Sequence, residues 1–113
     1  MEYSILKIYI SNTDRFGSEL LYEHLVKLAK EFGIAGATVY RGIMGYGKSS
    51  QHISSSRFWE LTEKLPVIIE LIDETNLINL FSEKIKIDII DSPKGCLISI
   101  QPIEILLHKS GKN

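Results

Sequence analysis

One cysteine, three prolines and one tryptophan in 113 residues rule out several kinds of protein at once. Cys96 has no second thiol to pair with, which excludes an internal disulfide and a cysteine-built zinc site and leaves strand packing as its reading. No apolar run reaches the ~18 residues of a membrane span. The opening residues also lack a basic stretch followed by a long apolar one, so the sequence predicts a cytoplasmic protein with no direct membrane insertion. An excess of one charge is missing too. Thirteen basic residues against fourteen acidic leave a net charge of −1, a field that does not recruit nucleic acid, so any anion site has to be local. His24, His52 and His108 share no ligand spacing, and no metal is assigned. Glu70, Asp73, Asp88 and Asp91 each have a capping, turn or interface explanation, and the serines lack a nucleophile-elbow context. No catalytic residue is assigned.

A chain of this length that is 44% hydrophobic makes one domain, 1–113, with a single core. Over 5–10, Leu6, Ile8 and Ile10 alternate with Ile5, Lys7 and Tyr9, the period of a strand with one strongly apolar face. Ser18 is the expected cap of a helix in which Leu21, Leu25, Leu28, Ala29 and Phe32 recur at helical spacing until Gly33 stops it. A second strand is predicted over 37–44. Leu65-Pro66 opens a third over 67–72, apolar enough on both faces to lie inside a sheet, with Pro66 tolerable only at its start. Asp73 is the expected cap of a second helix through about Ile87, buried along Leu77, Ile78, Phe81 and Ile85. A turn at 91–95 leads to a fourth strand over 96–100, then a tail from about 104 to 113. The order βαββαβ predicts an α+β, ferredoxin-like sandwich: a four-stranded antiparallel sheet with both helices on one face.

Such a fold leaves its second sheet face bare. Here that face carries Ile5, Tyr9, Tyr40, Ile68 and Ile72 around Lys7 and Glu70, which are expected to pair across neighbouring strands. An apolar patch of that size predicts a closed homo-oligomer, a trimer, with Lys7, Tyr9, Ile68 and Glu70 at its interface. The most distinctive stretch is 37–48, a β-branched and aromatic run ending in Gly42, Gly45 and Gly47, where positive φ and close approach of a ligand are expected. These glycines end a strand instead of opening a helix, so a dinucleotide-binding site of the Rossmann kind is excluded. Arg41, on the core side of its strand with Val39, calls for a carboxylate or phosphate partner. Lys48 and Arg57 bracket a serine-rich recognition loop, about 45–57, in which Ser49, Ser50, Ser54, Ser55 and Ser56 are candidates for modification.

With these residues in view, the chain resembles the DUF190 family of PII-like proteins over nearly its whole length. The most specific marks are Ala-Thr-Val-Tyr-Arg-Gly-Ile-Met-Gly-Tyr-Gly at 37–47 and Leu-Pro-Val-Ile-Ile-Glu-Leu-Ile-Asp at 65–73. More distant relatives, the PII signal-transduction proteins, are ferredoxin-like trimers that bind ATP or ADP between subunits and grip targets with a long loop. Gly45-Tyr46-Gly47-Lys48 is similar to the Gly-Phe-Gly-Arg that touches adenine and phosphate there, and Ile72 corresponds to an apolar residue of the adenine pocket. Lys94-Gly95 falls where PII proteins carry a glycine-rich phosphate loop. The turn here is poorer in glycine, and the arginines of the family's tail have only His108 and Lys109 as counterparts, which implies ADP or AMP in preference to ATP. The resemblance therefore implies a nucleotide site of Arg41, Gly45, Tyr46, Gly47, Lys48, Ile72, Lys94 and Gly95, with no required cofactor. It also implies an unidentified target protein, a membrane transporter or channel among the candidates because such genes lie near fluoride-export channels. Two other readings fit the same residues: a structural oligomer that binds only protein, and a small phosphate-processing enzyme relying on Arg15 before the first helix.

Overall fold

The computed structural model describes residues 2–48, 50–55 and 64–112, with 50–55 described for backbone only. Ser49, Ser56, Arg57 and the side chains of Ser50, His52, Ser54 and Ser55 thus lie outside the described residues.

The first strand, β1 (Tyr3–Ser11), buries every second residue as its alternation requires: Ser4, Leu6, Ile8 and Ile10 point into the core. It runs antiparallel to two partners. With β7 (Pro66–Glu74) the register sets Leu6 opposite Leu71, Ile8 opposite Ile69 and Ile10 opposite Val67, so the buried residues of both strands share one face. With β8 (Leu97–Ile103) it sets Ile8 opposite Ile98. On the far side of β7, β4 (Ala37–Arg41) completes the sheet, whose order is β4, β7, β1, β8. Two helices, α1 (Leu21–Phe32) and α2 (Thr75–Ile89), cover the buried face through Leu21, Leu25 and Ala29 and through Ile78, Phe81 and Ile85. Phe32 meets Phe81 edge-on at 5.4 Å between ring centres. Each such side chain removed from water contributes about 1.5–3 kcal/mol, which makes this layer the main source of stability. The ferredoxin-like arrangement expected from the strand and helix order is the one observed.

Several boundaries differ from expectation. Ser18 does not cap α1. A short hairpin of β2 (Arg15–Phe16) and β3 (Glu19–Leu20) intervenes, with Gly17 at φ +63° in its tight turn, and Leu20 stands at the helix N-cap without a side-chain bond. Buried Asp14 organises this entry instead, its carbonyl accepting from Leu21 N–H at 2.8 Å and its carboxylate from Ser11 N–H at 3.0 Å. Asp73 does not cap α2 either. The strand continues to Glu74, and the Asp73 carboxylate accepts from Ala35 N–H at 2.8 Å, tying the α1–β4 connection to β7. The expected second strand breaks at Gly42, after which β5 (Met44–Gly47) turns away and pairs with β6 (Ser50–Ser55) in a separate hairpin. At the end of α1, Gly33 adopts φ +94° and closes the helix as read from the sequence, its N–H donating to the carbonyls of Ala29 and Lys30.

Candidate functional site

Strand β4 delivers Arg41 to the point where the chain leaves the sheet. Arg41 is opposite Val67 in the register and lies on the helix side with Val39, as expected, yet it is exposed and makes no ion pair among the described residues. It borders a cavity of about 240 Å³ together with Asn12, Tyr22, Val39, Tyr40 and Val67. Just beyond, Gly45, Tyr46, Gly47 and Lys48 form the first arm of the β5–β6 hairpin and its turn, with Tyr46 77% exposed. The expected positive φ is absent here: among the described residues only Gly17 and Gly33 adopt it. Two of the three glycines are instead packed against Pro66, and only Gly47 has open space where a side chain would stand.

The opposite edge of the sheet carries a second cavity, of about 260 Å³, between the end of α2 and the start of β8. Lys86, Ser92, Lys94 and Cys96 line it with Ile89, Ile90 and Ile98. Lys94 N–H donates to Ser92 Oγ at 3.2 Å, which shapes the turn before Gly95. Lys86 is partly occupied by Glu83, 2.9 Å away, whereas Lys94 makes no ion pair among the described residues. Desolvation of the sulfur pushes the Cys96 thiol up to about 11, although the residue as a whole is exposed. Cys96 precedes β8 and does not lie within it, a small correction to its reading as strand packing.

Within one chain, then, the eight nucleotide candidates fall in three places. Arg41 and 45–48 lie at the β4 edge, and Lys94 and Gly95 beyond β8, three strand spacings or roughly 14 Å away across the sheet. Ile72 is on the open face near the other end of β7, five residues and about 17 Å from Val67, the partner of Arg41.

That open face holds Ile5, Lys7 and Tyr9 of β1, Ile68, Glu70 and Ile72 of β7, and Tyr40 of β4. Ile68 is buried, while Ile72 is 38% and Leu97 60% exposed. Lys7 stands opposite Glu70 in the register, yet the two form no ion pair. Glu70 accepts instead from the Tyr40 hydroxyl at 2.7 Å, a bond that raises the Tyr40 phenol above its usual value.

One cluster escaped the sequence reading. His24, on α1, stacks on Phe16 at 3.9 Å between ring centres and bonds Glu19 Oε1 through Nδ1 at 3.1 Å. Its Nε2 faces Asp88 at 3.7 Å, and Lys27 joins Glu19. The cluster straps the β2–β3 hairpin across both helices. The only trace in the sequence is the spacing of Glu19, His24 and Lys27, which says nothing until Gly17 turns the chain back. Arg15 is engaged in the same hairpin, Nη1 donating to the Ser18 carbonyl at 3.1 Å. No group of three or more potential metal ligands occurs among the described residues. None of the described helices is long and apolar enough to cross a membrane.

The fold is that of PII-like proteins. CPII from Thiomonas intermedia K12, a nitrogen regulatory PII-like protein solved with ADP and bicarbonate, superposes with a TM-score of 0.66 at 12% identity, covering 93% of this chain and 89% of that one. The Bacillus subtilis GlnK–ATP complex gives 0.55 at 13% identity over 90% and 84%. The chain itself belongs to the DUF190 family (Uncharacterized ACR), whose model matches residues 3–105. A UPF0166 protein of Aquifex aeolicus (strain VF5) is 36% identical over 102 residues, 90% of this chain and 91% of that one. Another, from Methanocaldococcus jannaschii, is 47% identical over 75 residues, 66% and 68% of the two chains.

Proposed function

We propose that this protein is a PII-like regulator that binds an adenine nucleotide in clefts between copies of itself and presents the segment after β4 to a partner protein. The observation that carries the reading is the split arrangement of the two cavities. Each lies at an edge of the sheet and bears a cation without an ion-pair partner among the described residues, Arg41 at one edge and Lys94 at the other. Neither alone offers a base pocket and a phosphate pocket together. Set edge to edge in a closed trimer, the β4 rim of one copy and the β8 rim of the next make one composite site. Gly45, Tyr46 and Gly47 serve the base in it, and Lys48, Lys94, Gly95 and Arg41 the phosphates, while Ile72, near the other end of interior strand β7, belongs with the open face. The open face, with Lys7, Tyr9, Ile68 and Glu70, packs toward the other copies. The nucleotides named with CPII and GlnK support an adenine ligand. The partner is a separate protein, and a membrane transporter or channel is the class to screen first.

Calorimetric titration with ADP, AMP and ATP, alongside light scattering, tests this. Saturable heat from a trimer, with Arg41→Ala and Lys94→Ala each weakening binding about tenfold or more, is the expected result. No heat from any of the three at millimolar concentration leaves a purely structural oligomer.

A further inference from the structure

Both ends of the segment between β4 and β7 meet on one dipeptide. Leu65, itself buried, is held twice by Asn12: Asn12 N–H donates to the Leu65 carbonyl at 2.9 Å, and Leu65 N–H donates to Asn12 Oδ1, also at 2.9 Å. One residue on, the Pro66 carbonyl accepts from Gly42 N–H at 2.7 Å. The Pro66 ring occupies the space where side chains would otherwise be. A Cβ at Gly42 would lie 2.7 Å from Pro66 Cγ, a frank overlap, and one at Gly45 would lie 3.2 Å away. Neither glycine has a positive φ, so backbone conformation does not explain them and this contact does. The grip also adjoins a cavity. Asn12 and Arg41 line the same concavity at the β4 edge, and Arg41 immediately precedes Gly42.

We infer that Leu65 and Pro66, gripped by Asn12 on one side and by Gly42 and Gly45 on the other, form a clamp that couples the β4-edge cavity to the β5–β6 hairpin. Asn12, Gly42 and Pro66 are positioning residues: none is required to touch a ligand for the hairpin to respond. An anion drawn to Arg41 acts on the hairpin to the extent that it binds the gripped and released arrangements with different affinity. Only the identity of that anion rests on the nucleotide reading.

Hydrogen exchange on the full chain tests the clamp without ligand first. Gly42→Ala is expected to speed exchange at 44–47 by about tenfold or more while the core of α2, 78–85, is unchanged. Pro66→Ala in the same chain, which removes the overlapping Cγ, is expected to restore most of the protection. Asn12→Ala, whose lost bond reaches Leu65 and not the hairpin, is expected to speed the same amides. If Gly42→Ala fails to fold, Gly45→Ala supplies the milder insertion with the same expected rescue. Unchanged exchange at 44–47 in these variants, or no rescue by Pro66→Ala, overturns the clamp even if ADP binds. Absence of heat with ADP in the natural chain overturns the nucleotide reading while a loosened, rescuable hairpin leaves the clamp standing. Where ADP does bind, slowed exchange at 44–47 in the natural chain but not in Gly42→Ala completes the coupling, and equal slowing in both refutes it.

Discussion

The two faces of the central sheet are built from the same strands and finished differently. On one, Leu6, Ile8, Val67, Ile69 and Leu71 are sealed by α1 and α2. On the other, Ile5, Tyr9, Tyr40, Ile68 and Ile72 alternate with Lys7 and Glu70, and neither helix covers them. Apolar content alone does not separate the faces; the covering helices do. The polar pair on the bare face shows how such a surface stays specific, because Glu70 is held by a neighbouring phenol while Lys7 keeps its charge available.

The sharpest way to break this contrast is in the covered layer. Phe81→Ala removes a ring that is 0% exposed and is expected to cost about 3–5 kcal/mol, measured by urea unfolding. On the bare face, Ile72→Asp is expected to leave the fold intact while lowering the particle mass toward the 12.8 kDa of a single chain, read by light scattering. A stable oligomer with Asp at 72 would show that the two faces are less different than their coverage implies.

Smaller effects come from protons. The Tyr40 phenol is raised, chiefly by its bond to Glu70, so that bond's contribution is complete below the ordinary value of 10.0 and disappears as pH climbs through the higher folded value. Glu70→Gln should bring the ultraviolet titration of Tyr40 back toward 10.0. Over the helices the sign reverses. Glu19 is lowered, mainly by its bond to Lys27, so its contribution is present above 4.5 and is lost as pH falls through the lower folded value. Lys27→Met should move the Glu19 carboxyl resonance in an NMR titration up toward 4.5, with only a slight change in melting temperature because the pair is exposed.

Period-two alternation at Leu6, Ile8 and Ile10, and helical spacing at Leu21, Leu25 and Ala29, made the layers legible because burial imposes those periods directly. The bare face was legible for the same reason. Local chemistry was less so. Ser18 and Asp73 have the right side chains for caps, yet a six-residue hairpin too short to carry a pattern displaced the first, and a long-range bond to Ala35 claimed the second. Gly42 and Gly45 were visible as exceptional residues, but their reason, a proline ring twenty-odd positions downstream, exists only once β4 and β7 are side by side. The candidate site was legible as a set of residues and not as a place, since its members occupy separate edges of one chain.

The register that sets Tyr3 opposite Ile103 has a kinetic consequence. Strand β1 is the second of the sheet's two interior members, and one of its neighbours is made about a hundred residues after it. Closing that loop costs little more than closing the one to β7, because the entropy grows only as the logarithm of length, but β8 is the last strand of the sheet to be synthesised. During synthesis the nascent domain therefore exposes one flank of its first strand until almost all of the chain has emerged.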